Sequence, residues 1–369
     1  MNAKNHFQVI IIGGGPAGMA TSITLTARGI SNCIVEGNVV SKNKAGEALP
    51  PNVKPLLKKL GISYLLEDEA HMPYYGNRSS WGTEALEQKE FIRSIYGSGY
   101  LLDRIHFEKQ LRSHLKNNHG VFYEGYHFKK IEMNPHGLEI AISNGRQKIK
   151  LTGSFVVDAT GRKASVCSQL GYVKTELDSQ FAYVFSAKSM SNVPQQIYVE
   201  AVKNGWWYVA PQKENQLTLM FFTLKELMPG KSKQSEFLRS NFQTSKHLPQ
   251  IILDQELQVD SVKIMPTGTS RLDIPFGHRW IAVGDAAFSY DPISSFGISS
   301  ALSSGYFAGN AISSYFKKET DAFITYRFLM ETVFEAYMKK VYAQYALENR
   351  WSESTFWKER FEKEFLSSV

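Results

Sequence analysis

Cysteine and long apolar runs are both scarce in this chain. It has 2 cysteines in 369 residues, and Cys33 and Cys167 form neither a CxxC pair nor a zinc-ligand spacing. A disulfide framework is therefore excluded, and a reducing compartment is expected. The apolar stretch Val9–Ile12 is far too short to cross a bilayer, and no other run approaches the required length. These absences predict a cytoplasmic protein with no membrane segment.

Charge of one sign is not concentrated either. The 42 Lys and Arg residues exceed the 35 Asp and Glu residues by a formal +7, and they are scattered in small clusters such as Lys54, Lys58 and Lys59. Nucleic-acid-binding domains usually gather basic residues into one stripe with interleaved aromatic residues. The histidines also lack a metal-ligand spacing. We therefore predict no nucleic-acid partner and no metal.

The first 36 residues have the pattern of a dinucleotide-binding unit. A buried strand over Phe7–Ile12 leads directly into GGGPAG at 13–18, then a helix to about Arg28 and a second strand ending at Glu36. The glycines permit a tight turn, a close approach of the pyrophosphate and close packing of helix on strand. An acid at the end of the second strand favours FAD or NAD over NADP. The predicted dinucleotide contacts are Gly13, Gly15, Pro16, Ala17, Gly18 and Glu36.

Two later strand-and-turn motifs indicate which dinucleotide binds. They are FVVDATGR at 155–162 and IAVGDAA at 281–287, the second followed by SYDPISSFGI at 289–298 and a helix rich in small residues. Together with the opening motif they resemble the FAD-dependent monooxygenase superfamily, which includes para-hydroxybenzoate hydroxylase and the flavin-dependent halogenases. The resemblance spans roughly residues 7–310. Because no second GxGxxG motif occurs, the electrons are expected from transiently bound NAD(P)H or from an external donor.

The resemblance implies further contacts to FAD. In the superfamily the aspartate matching Asp285 holds the ribityl chain, and the arginine matching Arg104 lies near the flavin. The helix that opens at Gly297 would direct its N-terminus at the pyrimidine end of the isoalloxazine, where reduced flavin is anionic. These are the cofactor-binding residues that the resemblance adds: Arg104, Asp158, Gly161, Gly284, Asp285, Pro292, Gly297 and Ile298.

Three other segments narrow the resemblance. GEALPP at 46–51 and DPISSFG at 291–297 are similar to elements of the halogenase branch. GWWYVAP at 205–211 is similar to the halogenase motif GWxWxIP, with tyrosine and alanine at two of its positions. No lysine occurs between Leu60 and Gln88, where halogenases carry their catalytic lysine. A halogenase-like skeleton without that amine resembles the LodB/GoxB group of flavoproteins, which mature cysteine tryptophylquinone in quinone-dependent amino-acid oxidases.

That resemblance implies hydroxylation of a tryptophan side chain in the precursor of such an oxidase, with FAD and molecular oxygen. Glu47 and His71 are the residues predicted to handle protons. Aromatic side chains suit an indole pocket, and core packing is their alternative role. The aromatic candidates are Tyr74, Tyr75, Trp81, Trp206, Trp207 and Tyr208.

Three other functions remain open at this point. An FAD hydroxylase or halogenase for a small aromatic substrate would turn over free indoles without a protein partner. A flavin reductase acting on lipid alkenes, similar to geranylgeranyl reductase, would not oxygenate its substrate. A non-catalytic assembly factor would support maturation of its partner even without FAD.

The predicted fold class is α/β. A Rossmann-like FAD-binding domain is expected from interleaved segments, 1–175 and 276–318, with inserted segments, and a β-rich substrate-side domain from 176–275. Several stretches of that middle region alternate with a period of two, as strands of a sheet do. Residues 319–369 are expected to form long amphipathic helices that either pack on the FAD-binding domain or dock a partner.

Overall fold

The computed structural model describes residues 5–38, 46–189, 193–319 and 321–362. The helices are α1 (Pro16–Ala27), α2 (Lys54–Lys59), α3 (Arg104–Asn117), α4 (Ser165–Gln169), α5 (Gln234–Gln243), α6 (Gly297–Phe316), α7 (Ala322–Ala346) and α8 (Thr355–Glu362). The strands are β1 (His6–Ile12), β2 (Asn32–Glu36), β3 (Ala48–Leu49), β4 (Met72–Tyr74), β5 (Gly76–Ser80), β6 (Glu87–Glu90), β7 (Gly99–Leu101), β8 (Val121–Glu124), β9 (His127–Asn134), β10 (Gly137–Ser143), β11 (Lys148–Asp158), β12 (Lys174–Glu176), β13 (Gln180–Lys188), β14 (Ile197–Val202), β15 (Gly205–Pro211), β16 (Gln216–Leu224), β17 (Lys263–Pro266), β18 (Ser270–Leu272), β19 (Phe276–Gly277), β20 (Trp280–Ala282) and β21 (Phe288–Ser289).

A parallel sheet forms the centre of the predicted FAD-binding domain. Its strand order is β20-β11-β1-β2-β8, with β19 antiparallel at one edge and β9 and β10 extending from the start of β11. Val9, Ile10 and Ile11 of β1 are fully buried, because helices cover both faces of such a sheet. The predicted α/β class and the β1-α1-β2 unit are confirmed.

Helices α1 and α6 lie against each other with almost no side chain between them. A Cβ on Gly305 would lie 2.3 Å from the Ala17 carbonyl oxygen, and one on Gly309 would lie 2.7 Å from Thr24 Cβ. Both contacts advance in the same direction along the two helices, which are therefore parallel. The two helices lie on the same side of the sheet. Measured along their shared direction, at a rise of about 1.5 Å per residue, the first residue of α6 lies about 8 Å before the first residue of α1.

A second, 7-stranded sheet stands beside this domain, in the order β17-β13-β16-β15-β14-β5-β6. Side chains alternate across it. Trp206, Tyr208 and Met220 belong to the core shared with the FAD-binding domain, whereas Trp207 and Phe221 belong to a separate core that α5 covers. The strands expected in the middle region from its period-two alternation are present as β13–β16. An inserted segment of the first 175 residues adds β5 and β6.

The C-terminal helices pack back on the rest of the chain. The Tyr326 hydroxyl of α7 donates to the Ala282 carbonyl at 2.8 Å. Further along, the rings of Trp81 and Tyr345 lie 5.6 Å apart, and those of Trp81 and Trp357 lie 5.3 Å apart. Ile324 and Phe328 of α7 remain 62% and 71% exposed. None of the helices in the described ranges is long and apolar enough to cross a membrane.

Candidate active site

The turn between β1 and α1 is tightly packed on one side and open on the other. A Cβ on Gly13, whose φ is +113°, would lie 2.1 Å from the Ala159 carbonyl oxygen, and one on Gly18 would lie 2.0 Å from the Gly13 carbonyl oxygen. A Cβ on Gly15 would meet no atom within 4 Å. Helix α1 starts at Pro16 without a side-chain cap, so its first amides are available to an anion.

Glu36 ends β2 beside this turn. Its Oε2 accepts a hydrogen bond from the Gly14 amide at 2.7 Å, and its Oε1 accepts one from the Asn38 amide at 2.7 Å. The carboxylate is thereby held at the rim of the turn, half-buried. Each carboxylate oxygen has a further lone pair that could accept from a ribose hydroxyl. Contact between Glu36 and the cofactor stays a prediction.

Asp285 lies in the short turn Gly284–Ala286, with its side chain 36% exposed. Arg162 Nε is 3.7 Å from Asp285 Oδ2. Lys174 Nζ donates to the Asp285 carbonyl and, at 2.8 Å, to Ser289 Oγ, and burial lowers the pKa of Lys174 to about 8. These two cations hold the Asp285 turn in place. Sequence reasoning missed both, although Arg162 closes the motif FVVDATGR.

Asp158 is fully buried at the end of β11. Its Oδ1 accepts hydrogen bonds from the Thr160 amide and hydroxyl at 2.9 and 2.7 Å, and its Oδ2 accepts from the amides of Val166 and Cys167, both at 2.9 Å. The carboxylate thus braces the turn that contains Gly161 and the start of α4. Asp158 therefore supports this turn from the protein interior. Direct contact between Asp158 and a cofactor stays a prediction.

We call residues 291–297 the flavin loop. The loop ends where α6 starts, and the N-terminus of α6 is predicted to point at the flavin. Asp291 Oδ1 accepts a hydrogen bond from the Ile293 amide at 2.9 Å and so caps the turn Pro292–Ser294. Ser295 then adopts a φ of +50°, which turns the chain into α6. A Cβ on Gly297 would meet no atom within 4 Å, and α6 has no side-chain cap. The first amides of α6 therefore face open space, with Ile298 buried beneath them.

Arg104 is the first residue of α3, and its side chain is 12% exposed. Its Nη1 donates to the Gly46 carbonyl at 2.7 Å, and its Nη2 donates to Glu108 Oε1 at 3.0 Å. The guanidinium is therefore not on the open surface of the helix. It positions the segment that carries Glu47.

Glu47 lies in a buried polar cluster on the inner face of the 7-stranded sheet. Burial raises the pKa of Glu47, against the opposing effects of the Arg104 charge and a hydrogen bond from Thr218. Burial also raises the pKa of Tyr208 well above its ordinary value, and the nearby groups Glu47 and Tyr74 add to that shift. Among the described residues, neither Glu47 Oε2 nor the Tyr208 hydroxyl has a hydrogen-bond partner. Two orphaned buried groups side by side indicate a place where a ligand's polar atoms belong.

His71 precedes β4 and packs against α3. Its Nε2 is 2.9 Å from Gln110 Oε1 on α3, and its ring meets those of His106 and Phe107 at 5.8 and 5.9 Å. Burial lowers the pKa of His71, so the ring is neutral at pH 7. Its Nδ1 has no partner among the described residues. A proton-handling role for His71 stays a prediction, and the structure does not place it with Glu47.

The six predicted pocket aromatics divide into three groups. Tyr74 and Tyr208 meet at Glu47. Trp206 stacks on Phe222 at 4.0 Å and, with Trp81, packs under the C-terminal helices. Trp207 and Tyr75 lie elsewhere: Trp207 is in the far core under α5, and Tyr75 is 52% exposed. For Trp81, Trp206 and Trp207 the structure shows core packing.

The described residues fit FAD. Two uncapped helix N-termini, those of α1 and α6, open on one side of the sheet with the stagger described above. The open space at Gly15 suits a pyrophosphate and the open space at Gly297 suits a flavin edge. Glu36 at one end and Asp285 in the middle supply acceptors for hydroxyl groups. When bound, FAD would supply the redox chemistry.

Comparisons with known proteins agree with this geometry. The family described as FAD binding domain matches residues 6–326. The FAD-dependent oxidoreductase LodB of Marinomonas mediterranea is 27% identical over 96% of this chain and 96% of its own length. Among solved structures, the myxobacterial chondrochloren halogenase CndH superposes with a TM-score of 0.89 at 18% identity, over 96% of this chain and 86% of its own.

A second solved structure is that of QhpG, a peptidyl tryptophan dihydroxylase essential for tryptophylquinone cofactor biogenesis. It superposes with a TM-score of 0.77 at 21% identity, over 96% of this chain and 78% of its own. At these identities the two superpositions show a shared fold. The family match confirms the prediction of FAD. The chain therefore belongs to the FAD-binding domain family and is an FAD-dependent oxidoreductase of the monooxygenase and halogenase superfamily.

Proposed function

We propose that this enzyme is a monooxygenase that hydroxylates a tryptophan side chain in the precursor of a quinone-dependent amino-acid oxidase, as a step in building its cysteine tryptophylquinone. One indole C–H becomes C–OH. Molecular oxygen provides the hydroxyl oxygen, two electrons come from reduced FAD, and the second oxygen atom leaves as water. NAD(P)H or an external donor returns the electrons to FAD.

The buried cluster of Glu47, Tyr208 and Tyr74 is the observation that carries the proposal. It faces the FAD-binding domain from the inner surface of the 7-stranded sheet. Residues 60–88, which run through β4 and β5 beside it, contain no lysine. Arg104 is the cation that acts on Glu47 in the described structure, and Gly46 and Glu108 hold its guanidinium. This arrangement can hold and move a proton, but it offers no amine to handle hypohalous acid.

The cluster suits hydroxylation of an indole. Because burial raises the pKa of Glu47, its carboxyl group retains a proton to higher pH than an exposed carboxyl would. The Tyr208 hydroxyl stands ready as a second donor. Met220 and Phe222 on the same face keep water away from both groups.

Two relatives support the proposal. LodB shares almost its entire length with this chain. QhpG, the peptidyl tryptophan dihydroxylase described above, shares the fold over 96% of this chain.

Halogenation of a small aromatic molecule is the second candidate, and the higher TM-score of CndH favours it. A direct assay separates the two. With reduced FAD, air, free indole and either chloride or bromide, we expect no halogenated indole, because the lysine is missing from residues 60–88. Halide-dependent product would establish the second candidate instead.

An exposed apolar segment lies next to the cluster. The Tyr74 ring meets that of Phe91 at 5.2 Å, and the chain then exposes Ile92 and Ile95 by 85% and 89%. Tyr75 and Tyr96 extend the same surface. We call this surface the rim patch. If the substrate is a tryptophan within a protein, the rim patch is where the surrounding precursor segment would rest.

The double variant Ile92→Ser/Ile95→Ser tests this location. Burying two such side chains is worth enough that their loss should weaken precursor binding by about tenfold or more. FAD affinity should stay unchanged, since neither residue belongs to the cleft. The matched control is Ile324→Ser/Phe328→Ser, an exposed apolar pair on α7. Loss of binding in the α7 variant alone would move the docking surface to the C-terminal helices.

The proposed function itself is tested with the tagged holoenzyme and a native cell extract. A stoichiometric partner should co-purify, and its intact mass should rise by whole oxygen atoms once reduced FAD and air are supplied. Capture of a partner whose mass does not change would contradict the hydroxylation, as would oxidation of free indole at full rate with no protein present.

A further inference from the structure

A buried guanidinium from the last described helix reaches the flavin loop. Arg360 of α8 is 9% exposed. Its Nη1 lies 3.3 Å from Asp178 Oδ2 and 3.7 Å from Asp291 Oδ2, and its Nη2 donates to Gln180 Oε1 at 2.5 Å. Asp178 and Asp291 are themselves buried, with side chains 6% and 0% exposed. One cation therefore joins the start of the 7-stranded sheet to the first residue of the flavin loop.

Helix α7 holds the same aspartate from a second direction. The Tyr345 hydroxyl donates to Asp291 Oδ2 at 2.9 Å and accepts from Trp206 Nε1 at 3.1 Å. The Tyr337 hydroxyl accepts a hydrogen bond from the Asp291 amide at 2.5 Å. The Arg360 guanidinium lies 4.7 Å from the centre of the Tyr345 ring. Backbone and side chain of Asp291 are thus both fixed from behind by the C-terminal helices.

The second carboxylate oxygen of Asp291 acts on the flavin loop itself. This atom, Oδ1, caps the turn Pro292–Ser294, and the direction in which α6 starts at Gly297 follows from that turn. Two buried carboxylates without a cation are strongly unfavourable, so the ion cluster holds only while Arg360 is in place. Arg360 lies beyond residue 326, where the match to the FAD-binding domain family ends.

We propose that Arg360 is a positioning residue for FAD: by holding Asp291 it fixes the flavin loop, so that helix α8 sets how tightly FAD binds and what environment the flavin edge meets at α6. The inference rests on FAD binding alone and is independent of the substrate. It also links the flavin loop to the substrate side, because Arg360 and Tyr345 contact Gln180 and Trp206 of the 7-stranded sheet.

Arg360→Met, compared with Arg350→Met, tests the proposal. Arg350 pairs with the fully buried Glu348 at 2.5 Å, so its loss also breaks a buried ion pair of the C-terminal region. Glu348 contacts Gly82 and not the flavin loop. The measurements are the FAD dissociation constant, the visible spectrum and midpoint potential of the bound flavin, and the thermal midpoint of the apoprotein.

We expect both variants to lower the thermal midpoint. Only Arg360→Met should weaken FAD binding, by about tenfold or more for a lost charged hydrogen bond, and shift the flavin bands and potential. Arg360→Lys should fall between wild type and Arg360→Met. If Arg350→Met and Arg360→Met weaken FAD alike, the effect is general destabilisation and the proposal is overturned.

If the Arg360→Met protein does not fold, the variant Tyr345→Phe tests the proposal instead. It keeps the ring that packs on Trp81 and Trp357 and removes only the hydroxyl that contacts Asp291. A severalfold loss of FAD affinity with altered flavin bands supports the proposal. Unchanged affinity and an unchanged spectrum refute it.

Discussion

Gly15→Ala should weaken FAD binding sharply while leaving the apoprotein folded. Gly15 has φ −80° and ψ −178°, which any residue adopts, and a Cβ there would meet no atom within 4 Å. The methyl group therefore has room in the apoprotein, but it occupies the space that the pyrophosphate needs. Overpacking of this kind should raise the FAD dissociation constant by about a hundredfold. Flavin fluorescence titration measures that constant, and the thermal midpoint reports on the fold.

Two other glycines make this result specific. Gly18→Ala should destabilise the apoprotein, because its Cβ would lie 2.0 Å from the Gly13 carbonyl oxygen. Gly230→Ala, whose Cβ would also meet nothing within 4 Å, lies in a connection before α5 and should change neither property. If the Gly15→Ala protein binds FAD normally, the pyrophosphate does not lie against the start of α1.

Glu47→Gln should lower hydroxylation by about a hundredfold, the usual share of a positioned acid or base, and yet stabilise the apoprotein near neutral pH. The pKa of Glu47 is raised in the folded state above its ordinary value of 4.5, with burial as the main cause. At a pH between the ordinary pKa of Glu47 and its raised pKa, the folded state binds more protons than the unfolded state. Stability therefore falls as pH rises through that interval. Glutamine does not titrate, so the variant escapes this loss.

The pH dependence gives the sign of the effect. The thermal midpoint of Glu47→Gln should exceed that of wild type at pH 7, and the difference should shrink as pH falls toward 4.5. Glu108→Gln is the matched control, since Glu108 is equally buried but is paired with Arg104 at 3.0 Å. It should be destabilised at pH 7. A Glu47→Gln enzyme with wild-type turnover would remove Glu47 from the chemistry.

Local pattern was enough to predict the structural elements that form the nucleotide half of the proposed site. Strand, glycine turn, helix and acid follow each other within residues 7–36, so chain connectivity alone brings them together. The same holds for the turn at Asp285 and the start of α6. Their spacing along the chain is set by the elements themselves, and the family match agrees with it.

The substrate half depended on features that no local pattern contains. Trp206, Trp207 and Tyr208 are consecutive. The face of the sheet separates Trp207 from the other two, and position along β15 then places Trp206 against Trp81 and Tyr208 near Glu47. The contact of His71 with Gln110 of α3 likewise joins residues that no local pattern connects. The partnership of Arg360 with Asp178 and Asp291 joins residues far apart in the chain, and such pairs follow from the complete fold.

The most direct test of the account is to locate the incorporated oxygen. The holoenzyme, its captured protein partner and reduced FAD are incubated under heavy-isotope oxygen gas, and the partner is digested and mapped by tandem mass spectrometry. The account predicts heavy oxygen on a tryptophan residue of the partner, at a level that falls sharply with Glu47→Gln. Absence of label from every tryptophan, or a halogen atom in its place when bromide is present, would contradict it.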